Sequence, residues 1–306
     1  MAQHPRITLV IPTYNRSSSL LRTLESVALQ ELDPTLWCCL IIDNGSTDDT
    51  AEVVERFAAE HPKLSLRRVV EPQAGVSHAR NRALQEATTE LICSIDDDER
   101  INPDFIEAYL RFFDTHPDAV VAGGRIIAEY TESRPRWQSR WSEQLIANPI
   151  DRGPDPHPFP EGKLPGGGNM GFRRSSALQV GFATELGRTG KQLLGGEEND
   201  FFLRLREAGA TLWYLPEAVI WHIIPPEKCT LEYLKRLARN NGLSQMRRAV
   251  LRGENPNWML LREGLKWVAT LLLCCTMLPA KGHALFLMRR EISRGILAGR
   301  ATAEKE

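Results

Sequence analysis

The 306-residue sequence lacks three features that would place a protein in a broad class at once. Six cysteines, at positions 38, 39, 93, 229, 274 and 275, show no CxxC spacing, which predicts buried thiols in a reducing compartment and neither a zinc site nor a disulfide framework. The start, MAQHPRITLV, has no basic leader before an apolar stretch, so we expect no secretory signal and a cytoplasmic location. The apolar segment between Lys266 and Lys281 has 14 uncharged residues, fewer than the roughly 20 that span a bilayer.

The sequence also lacks an overall excess of charge, because its formal net charge is −1. The charge is unevenly distributed along the chain. Residues 228–306 contain 15 Lys and Arg against 6 Asp and Glu, a net charge of +9, which leaves −10 on residues 1–227. An acidic body with a basic tail indicates cation binding in the first part and an anionic surface near the second.

Strand-like and helix-like segments alternate through the first hundred residues. Short apolar runs occur at 7–11 (ITLVI), 38–42 (CCLII), 66–70 (LRRVV) and 91–95 (LICSI), with segments of helical period between them. This alternation predicts an α/β fold with βαβ units and a mostly parallel sheet. The loops after the first, second and fourth runs, PTYNR, DNGSTDD and DDDE, should open onto one edge of that sheet, where such folds bind ligands.

An acidic cluster follows the fourth predicted strand, and its members are Asp96, Asp97, Asp98 and Glu99. Like charges at close range repel, so the cluster requires a cation or raised pKa values, unless it is an ordinary solvated loop. Asp96 and Asp98 form a DxD pattern, which suits Mg²⁺ or Mn²⁺ completed by ligand phosphates. A calcium-binding EF-hand is excluded because Ile101 replaces the glycine that its loop needs.

Seven motifs occur in a definite order, and together they carry a family resemblance. They are VIPTYNR, IIDNGSTDDT, EPQAGVSHARNRAL, SIDDDERINPDF, GGGNMGF, GGEENDFFLRL and AVIWHIIPP, within residues 7–240. This succession resembles the family 2 glycosyltransferases with the GT-A fold, in particular bacterial enzymes of exopolysaccharide (succinoglycan-type) synthesis. The resemblance implies a Rossmann-like, mostly parallel central sheet with flanking helices. It also implies inverting transfer of a sugar from a nucleoside-diphosphate sugar to a hydroxyl of a glycan or lipid-linked acceptor.

The resemblance further implies donor-site roles for individual residues. Asp98, Asp96 and His222 would hold Mn²⁺ or Mg²⁺, although His222 beside Trp221 is equally compatible with a structural role. The residues implied at the nucleotide are Pro12, Thr13, Tyr14, Asp43, Asn44, Arg80, Asn81, Asp96 and Asp97. Asn44 stands where the family often has an aspartate that contacts the base, so the base of the donor stays open, and Asn44 is also a plausible turn residue.

A carboxylate is needed to accept the proton of the acceptor hydroxyl, and three candidates begin one predicted helix. Glu198 matches the catalytic position of the family, Glu197 is the alternative, and Asp200 would orient the base; the helix dipole favours their ionised forms. Simple acidity at a helix start also explains them. At the acceptor, Gly168 and Asn169 would approach the sugar, and Trp137 and Trp141 would stack on it, with turn formation and loop packing as the alternatives.

The organisation along the chain follows from these assignments. We predict a GT-A catalytic domain over 1–227, with an irregular acceptor-side loop or lid at 131–168, and a basic helical C-terminal extension over 228–306. Residues 267–280 form either a core helix or an interfacial segment attached to the inner face of the cell membrane, where anionic lipid would meet the nearby basic residues. These are Arg247, Arg248, Arg252, Arg262, Arg289 and Arg290. No nucleic-acid partner is predicted.

Two other functions remain compatible with a nucleotide-binding α/β fold. A sugar-phosphate nucleotidyltransferase would share the sheet, the metal and the nucleotide, but normally has a glycine-rich, arginine-containing loop after its first strand, which PTYNR is not. A catalytically inactive nucleotide-sugar or carbohydrate-binding protein would retain the binding residues without turnover.

Overall fold

The computed structural model describes residues 4–187 and 195–303. In these ranges the strands are β1 (Ile7–Thr13), β2 (Trp37–Asp43), β3 (Leu66–Val70), β4 (Leu91–Ile95), β5 (Glu99–Ile101), β6 (Val121–Tyr130), β7 (His157–Pro158), β8 (Asn169–Arg173) and β9 (Leu212–Ile224). The helices are α1 (Ser17–Val27), α2 (Thr50–Glu60), α3 (Val76–Glu86), α4 (Phe105–Thr115), α5 (Arg140–Ile146), α6 (Arg174–Val180), α7 (Glu197–Glu207), α8 (Leu231–Leu251), α9 (Pro256–Thr276) and α10 (Pro279–Ala303).

All nine strands belong to one mixed sheet in the order β3-β2-β1-β4-β8-β6-β9-β5, with β7 paired to β9. The four strands predicted from the N-terminal apolar runs form its parallel part, β3-β2-β1-β4. The later strands add antiparallel pairs, as in β4 with β8 and β5 with β9. The predicted α/β class, with a helical C-terminal region after the sheet, is therefore confirmed.

Helices cover both faces of the sheet because strands such as β1 are buried on both sides. Ile7, Leu9 and Ile11 point to one apolar cluster, which α1, α2 and α4 complete. Val10 points to the other cluster, which α3, α6 and α7 complete. This alternation follows from the two-residue period of a strand and holds β1 in a central position.

Strand β9 runs through LWYL and AVIWHI without a break. The structure has one continuous strand through Pro216, although proline lacks the amide N–H of other residues. Its partners change along its length, since β7 pairs at Trp213 and Tyr214 and β5 pairs from Ile220 to His222. The separate pairing of each half keeps the strand intact.

The chain divides into two compact units. Unit 1 comprises Met1–Ile127, Ile150–Thr184 and Glu197–Ile223, and unit 2 comprises Ala128–Pro149, Glu185–Gly196 and Ile224–Glu306. A third apolar cluster, with Ile224, Leu234, Met288 and Ile292 among its members, forms the core of unit 2. In the described part of the chain, no helix combines the length and the hydropathy that crossing a membrane requires.

The segment 131–168, predicted as irregular, contains a helix and a short strand. Helix α5 begins with a capping box, in which Ser139 and Ser142 bond each other's backbone N–H groups. Trp137 and Trp141 pack against the apolar cluster of unit 2, which agrees with loop packing as the reason for these aromatic residues. The abundance of proline and glycine around this segment concealed the helix from the sequence pattern.

Candidate active site

The loops that follow β1, β2 and β4 meet at one edge of the sheet. Thr13 Oγ1 donates a hydrogen bond of 2.8 Å to Asp97 Oδ2, which joins the first and fourth loops. Asn15 Oδ1 accepts a 2.7 Å bond from the Thr47 N–H, which joins the first and second loops. Since β1 lies between β2 and β4 in parallel pairing, the three loops leave the sheet together at a topological switch point.

The acidic cluster after β4 is largely buried, which excludes an ordinary solvated loop for most of it. Asp97, Asp98 and Glu99 are buried, whereas the Asp96 side chain is 42% exposed. Arg16 neutralises part of this charge, because its Nη1 lies 2.8 Å from Asp97 Oδ1 and 3.0 Å from Asp98 Oδ2. The Asp96 N–H donates a 2.8 Å bond to Glu99 Oε2, so Glu99 fixes the backbone of the cluster.

Burial also changes the protonation of the cluster. Burial, with a further contribution from the Asp98 carboxylate, raises the pKa of Asp97 to about 6 despite the opposing charge of Arg16. Burial, followed by the negative charges of Asp96 and Asp98, raises the pKa of Glu99 well above its ordinary value.

His222 faces Asp98 across the end of the sheet. The pairing of β5 with β9 places His222 opposite Glu99, and His222 Nε2 lies 3.8 Å from Asp98 Oδ2. Within residues 4–187 and 195–303, no three His, Cys, Asp or Glu side chains form a cluster suited to a metal ion. A carboxylate and an imidazole fit a divalent ion that takes its remaining ligands from phosphates.

Arg80 connects the acidic cluster to the start of α7. Its guanidinium is buried, with Nη1 2.7 Å from Glu197 Oε1 and Nη2 3.3 Å from Asp96 Oδ1. Nη2 also donates a 3.3 Å bond to the carbonyl oxygen of Gly167. Burial alone would lower the pKa of Arg80, but the carboxylates of Glu197 and Asp96 raise it, so this side chain is a fixed positive charge.

The two glutamates at the start of α7 have different environments. The Glu197 side chain is 5% exposed and is held by Arg80, whereas the Glu198 side chain is 24% exposed. Burial and the neighbouring Glu198 charge raise the pKa of Glu197 to about 8, although Arg80 opposes the shift. Of this pair, Glu198 is the carboxylate that a molecule in solution reaches.

Asp200, predicted to orient the base, makes an ion pair further along α7. Arg204 Nε lies 2.7 Å from Asp200 Oδ2, and Arg204 Nη2 donates a 2.8 Å bond to the Gly181 carbonyl oxygen. Asp200 thus helps to anchor α7 against the end of α6.

Two amides predicted at the nucleotide make bonds to the backbone. Asn44 Oδ1 accepts from the Gly75 N–H at 2.7 Å, and its Nδ2 donates to the carbonyl oxygens of Glu71 and Gln73. Asn81 exchanges two 2.8 Å bonds with the backbone of Phe182. These bonds hold loops in place and engage both ends of each amide.

The other predicted nucleotide residues border the same edge of the sheet. Asp43 is buried, and its carboxylate accepts bonds of 2.8 Å from the Ser46 N–H and from Arg68 Nη1. Pro12 and Thr13 are also buried, whereas Tyr14 is 42% exposed. Tyr14 is therefore the side chain of the first loop that is available to stack on a ring.

The residues predicted at the acceptor differ in their surroundings. Gly167 and Gly168 approach the site closely, because a Cβ on Gly167 would lie 2.7 Å from Glu198 Cγ and one on Gly168 would lie 2.0 Å from Glu99 Oε1. Asn169 is fully buried, accepts a 2.7 Å bond from the Tyr109 hydroxyl and donates to two carbonyl oxygens. Its amide holds β8 in the sheet and is out of reach of a sugar. Trp137 and Trp141 belong to unit 2.

Arg16 and Arg68 are the site residues that sequence reasoning missed. Each pairs with an aspartate at the end of a parallel strand, Arg16 with Asp97 and Arg68 with Asp43. The only signal for Arg16 was its position, as a basic residue in the loop after β1 that faces the loop with three aspartates. Arg68 lies in an apolar run and gave no comparable signal.

The chain is similar to a protein-family model and to individual known proteins over much of its length. The model of "Glycosyl transferase family 2" matches residues 8–181, more than half of the chain. The succinoglycan biosynthesis protein ExoM of Rhizobium meliloti is 27% identical over 301 residues, covering 96% of this chain and 92% of that protein. The glucosyl-dolichyl phosphate glucuronosyltransferase of Haloferax volcanii is 27% identical over 222 residues, covering 71% of this chain and 69% of that protein.

A solved structure supports the fold. The mannosyltransferase PcManGT from Pyrobaculum calidifontis, in complex with GDP-Man and Mn²⁺, superposes with a TM-score of 0.63 at 19% identity, covering 97% of this chain and 87% of that one. The predicted GT-A fold is confirmed by this likeness together with the family match. On the strength of the family match, the chain belongs to glycosyl transferase family 2 and is a glycosyltransferase.

Proposed function

We propose that this glycosyltransferase is metal-assisted and inverting, and that it transfers a sugar from a nucleoside-diphosphate sugar to a glycan or lipid-linked acceptor. The single observation that carries the proposal is the bridge made by Arg80. One buried guanidinium contacts both Asp96 of the acidic cluster and Glu197 beside Glu198. This bridge supports a donor site and a reachable carboxylate base that lie close together in unit 1.

The donor side rests on the loops after β1 and β4. Asp98 and His222, 3.8 Å apart, would hold Mn²⁺ or Mg²⁺, with the exposed carboxylate of Asp96 beside them. The ion would supply positive charge to the diphosphate that departs. Tyr14 would stack on the base, and Asp43 would border it from the second loop. The complex of PcManGT with GDP-Man and Mn²⁺ supports a divalent ion at such a site.

The acceptor side rests on Glu198. Its carboxylate would take the proton of an acceptor hydroxyl as that oxygen forms a bond to the anomeric carbon of the donor sugar. The bond between this carbon and the diphosphate oxygen breaks on the opposite face, so the configuration inverts and the nucleoside diphosphate departs. Arg80 would keep Glu197 in place, while the absence of a side chain at Gly167 leaves space for Glu198.

The proposal also assigns a role to each part of the chain and a cellular location. We assign the chemistry to a catalytic domain over 1–227 and attachment to the inner face of the cell membrane to the basic region 228–306. ExoM, a succinoglycan biosynthesis protein similar over 96% of the chain, supports a role in exopolysaccharide or cell-surface glycan synthesis.

Donor and metal binding can be tested without knowledge of the acceptor. We expect one of UDP, dTDP and GDP to raise the melting temperature only when Mn²⁺ is present, because a ligand that binds the native state stabilises it. Asp98→Asn should abolish this shift. Asp118→Asn, at an exposed position distant in sequence from the motifs, is the matched control and should retain it. Equal shifts with and without Mn²⁺ would refute the metal assignment.

Measurement of donor turnover tests whether Glu198 is the base. Glu198→Gln should lower donor turnover by about 10²- to 10⁴-fold while the Mn²⁺-dependent nucleotide shift persists, because the amide cannot accept the proton. Glu207→Gln, on the exposed end of the same helix, should be unaffected. NMR of the product should show the inverted anomer. Retained activity in Glu198→Gln would favour another base, and a wild-type protein that binds the donor without turnover would favour an inactive binding protein.

A further inference from the structure

Helix α9 carries a row of large apolar side chains that face solvent. The row consists of Trp258, Leu261, Leu265, Val268 and Leu272, which are more than half exposed. Exposure reaches 62% at Trp258, 66% at Leu265 and 67% at Leu272. The spacing of three and four residues places all five on one helix face, along about 21 Å of its length. We call this set the α9 row.

The opposite face of α9 is already packed within unit 2. Met259, Leu260, Leu273 and Cys274 contact the apolar cluster of that unit. Glu263, buried on the same side, accepts bonds of 3.2 Å from Arg289 Nη1 and 2.9 Å from Ser293 Oγ on α10. Because these contacts fix the rotation of the helix, the α9 row cannot turn inward. A contiguous exposed apolar surface of this kind marks an interaction site.

The exposed charges next to the α9 row are positive, although Lys266 Nζ also lies 3.8 Å from Oε2 of the buried Glu263. Glu263 is the sole acidic residue of α9, and it is buried. Arg262 and Lys266, both exposed, lie on one flank of the row. The region 228–306 as a whole carries +9. An apolar face bordered by positive charge is complementary to a surface that combines hydrocarbon with anionic headgroups.

We infer that α9 lies flat in the surface of an anionic membrane. The α9 row would enter the boundary between headgroups and acyl chains, and Arg262 and Lys266 would extend to the lipid phosphates. This inference deepens the membrane attachment in the proposed function by naming its residues and lipid chemistry, and it does not depend on the sugar-transfer chemistry. It also accounts for a helix that is apolar on both faces and still too polar to cross the bilayer.

A second copy of the chain is the rival occupant, because the three-and-four spacing also occurs in coiled coils. In an antiparallel two-fold contact the flank that carries Arg262 and Lys266 would face the same flank of the other copy, and like charges would repel. Lipid phosphates would neutralise the same residues, so the charge favours the membrane.

The full-length protein should float with vesicles of phosphatidylcholine containing about one third phosphatidylglycerol, and less with phosphatidylcholine alone. Leu265→Glu/Leu272→Glu should lose flotation, since two charges cannot enter the apolar boundary. Leu29→Glu/Leu178→Glu, at exposed leucines of unit 1, is the matched control and should float as the wild type does. Arg262→Gln/Lys266→Gln should weaken binding to the anionic vesicles by about fivefold per charge removed.

Circular dichroism and the Mn²⁺-dependent nucleotide shift verify that each variant is folded, and they separate this inference from the proposed function. Equal flotation of the two leucine double variants would overturn the inference. The inference would also be overturned if light scattering showed a wild-type dimer that Leu265→Glu/Leu272→Glu converts to a monomer, while neither protein binds vesicles. A wild-type protein that floats with vesicles but does not transfer sugar would instead refute the proposed chemistry alone.

Discussion

Arg80 Nη1 and Glu197 Oε1 lie 2.7 Å apart, and both side chains are 5% exposed. The pair joins α3 to the start of α7, although 117 positions separate the two residues in sequence. Ion pairs of this kind contribute little net stability when intact, because desolvation offsets attraction, but removal of one partner leaves an uncompensated buried charge. The pair therefore acts mainly to specify where α7 begins.

A double-mutant cycle tests this role. At a pH above the folded pKa of Glu197, about 8, Arg80→Met should lower the free energy of unfolding by about 3–5 kcal/mol, because it strands the ionised, buried Glu197 carboxylate near Asp96. Arg80→Met/Glu197→Gln should be less destabilised than the sum of the single variants, which urea unfolding measures. As a control, Arg82 pairs with Glu86 in a more exposed position, and Arg82→Met should lower the free energy of unfolding by less than about 1 kcal/mol. Additive effects at Arg80 and Glu197 would show that they are not coupled.

The pH dependence of stability should carry the signature of Glu197. Its folded pKa of about 8 exceeds the ordinary value of 4.5, so the folded protein binds this proton more tightly than the unfolded chain. The resulting stabilisation is complete below about pH 4.5 and is lost as the pH rises through about 8. When urea unfolding is measured between these pH values, the free energy of unfolding of the wild-type protein should decline as the pH rises. Glu197→Gln should reduce this decline. An identical slope in the variant would assign the decline to other groups.

Gly167 controls the position of the proposed base. A Cβ at this residue would lie 2.7 Å from Glu198 Cγ, so Gly167→Ala should displace the Glu198 carboxylate. A displacement of about 1 Å should lower kcat by roughly 10²-fold, with little change in the Mn²⁺-dependent nucleotide shift. Gly264→Ala, where a Cβ meets no atom within 4 Å, is the control and should leave kcat unchanged. Normal turnover in Gly167→Ala would argue against Glu198 as the base.

Asn44 should affect stability more than donor selection. Asn44→Ala removes bonds to Gly75, Glu71 and Gln73, each worth about 1 kcal/mol, and should lower the free energy of unfolding by roughly 2–4 kcal/mol. Asn44→Asp should also destabilise, because a carboxylate oxygen would face the Glu71 and Gln73 carbonyl oxygens. Urea unfolding measures both, with the nucleotide panel repeated on each variant. A stable Asn44→Asp protein that prefers a different base would assign Asn44 to base recognition.

The comparison of sequence with structure shows where local patterns succeed. The runs at β1, β2 and β4 were predicted correctly because strands buried on both faces need continuous apolar residues, which a sequence displays directly. Helix α5 was missed because it is short and lies between Pro135 and Pro149, in a segment whose composition is typical of a loop. The continuity of β9 through Pro216 is not a local pattern, because it depends on pairing with β5 and β7, which are distant in the chain.

The site, too, has features that the sequence displays and features that depend on tertiary packing. Order along the chain was enough to assign the family, the acidic cluster and the acids at the start of α7, since each is a local pattern of residue types. Contacts between distant segments determined which of these residues are exposed and charged. Arg80 buries Glu197 and leaves Glu198 accessible, while backbone groups engage Asn44 and Asn169. Burial and partner choice depend on how remote segments pack, so only the folded chain shows that Glu198 is more exposed than Glu197.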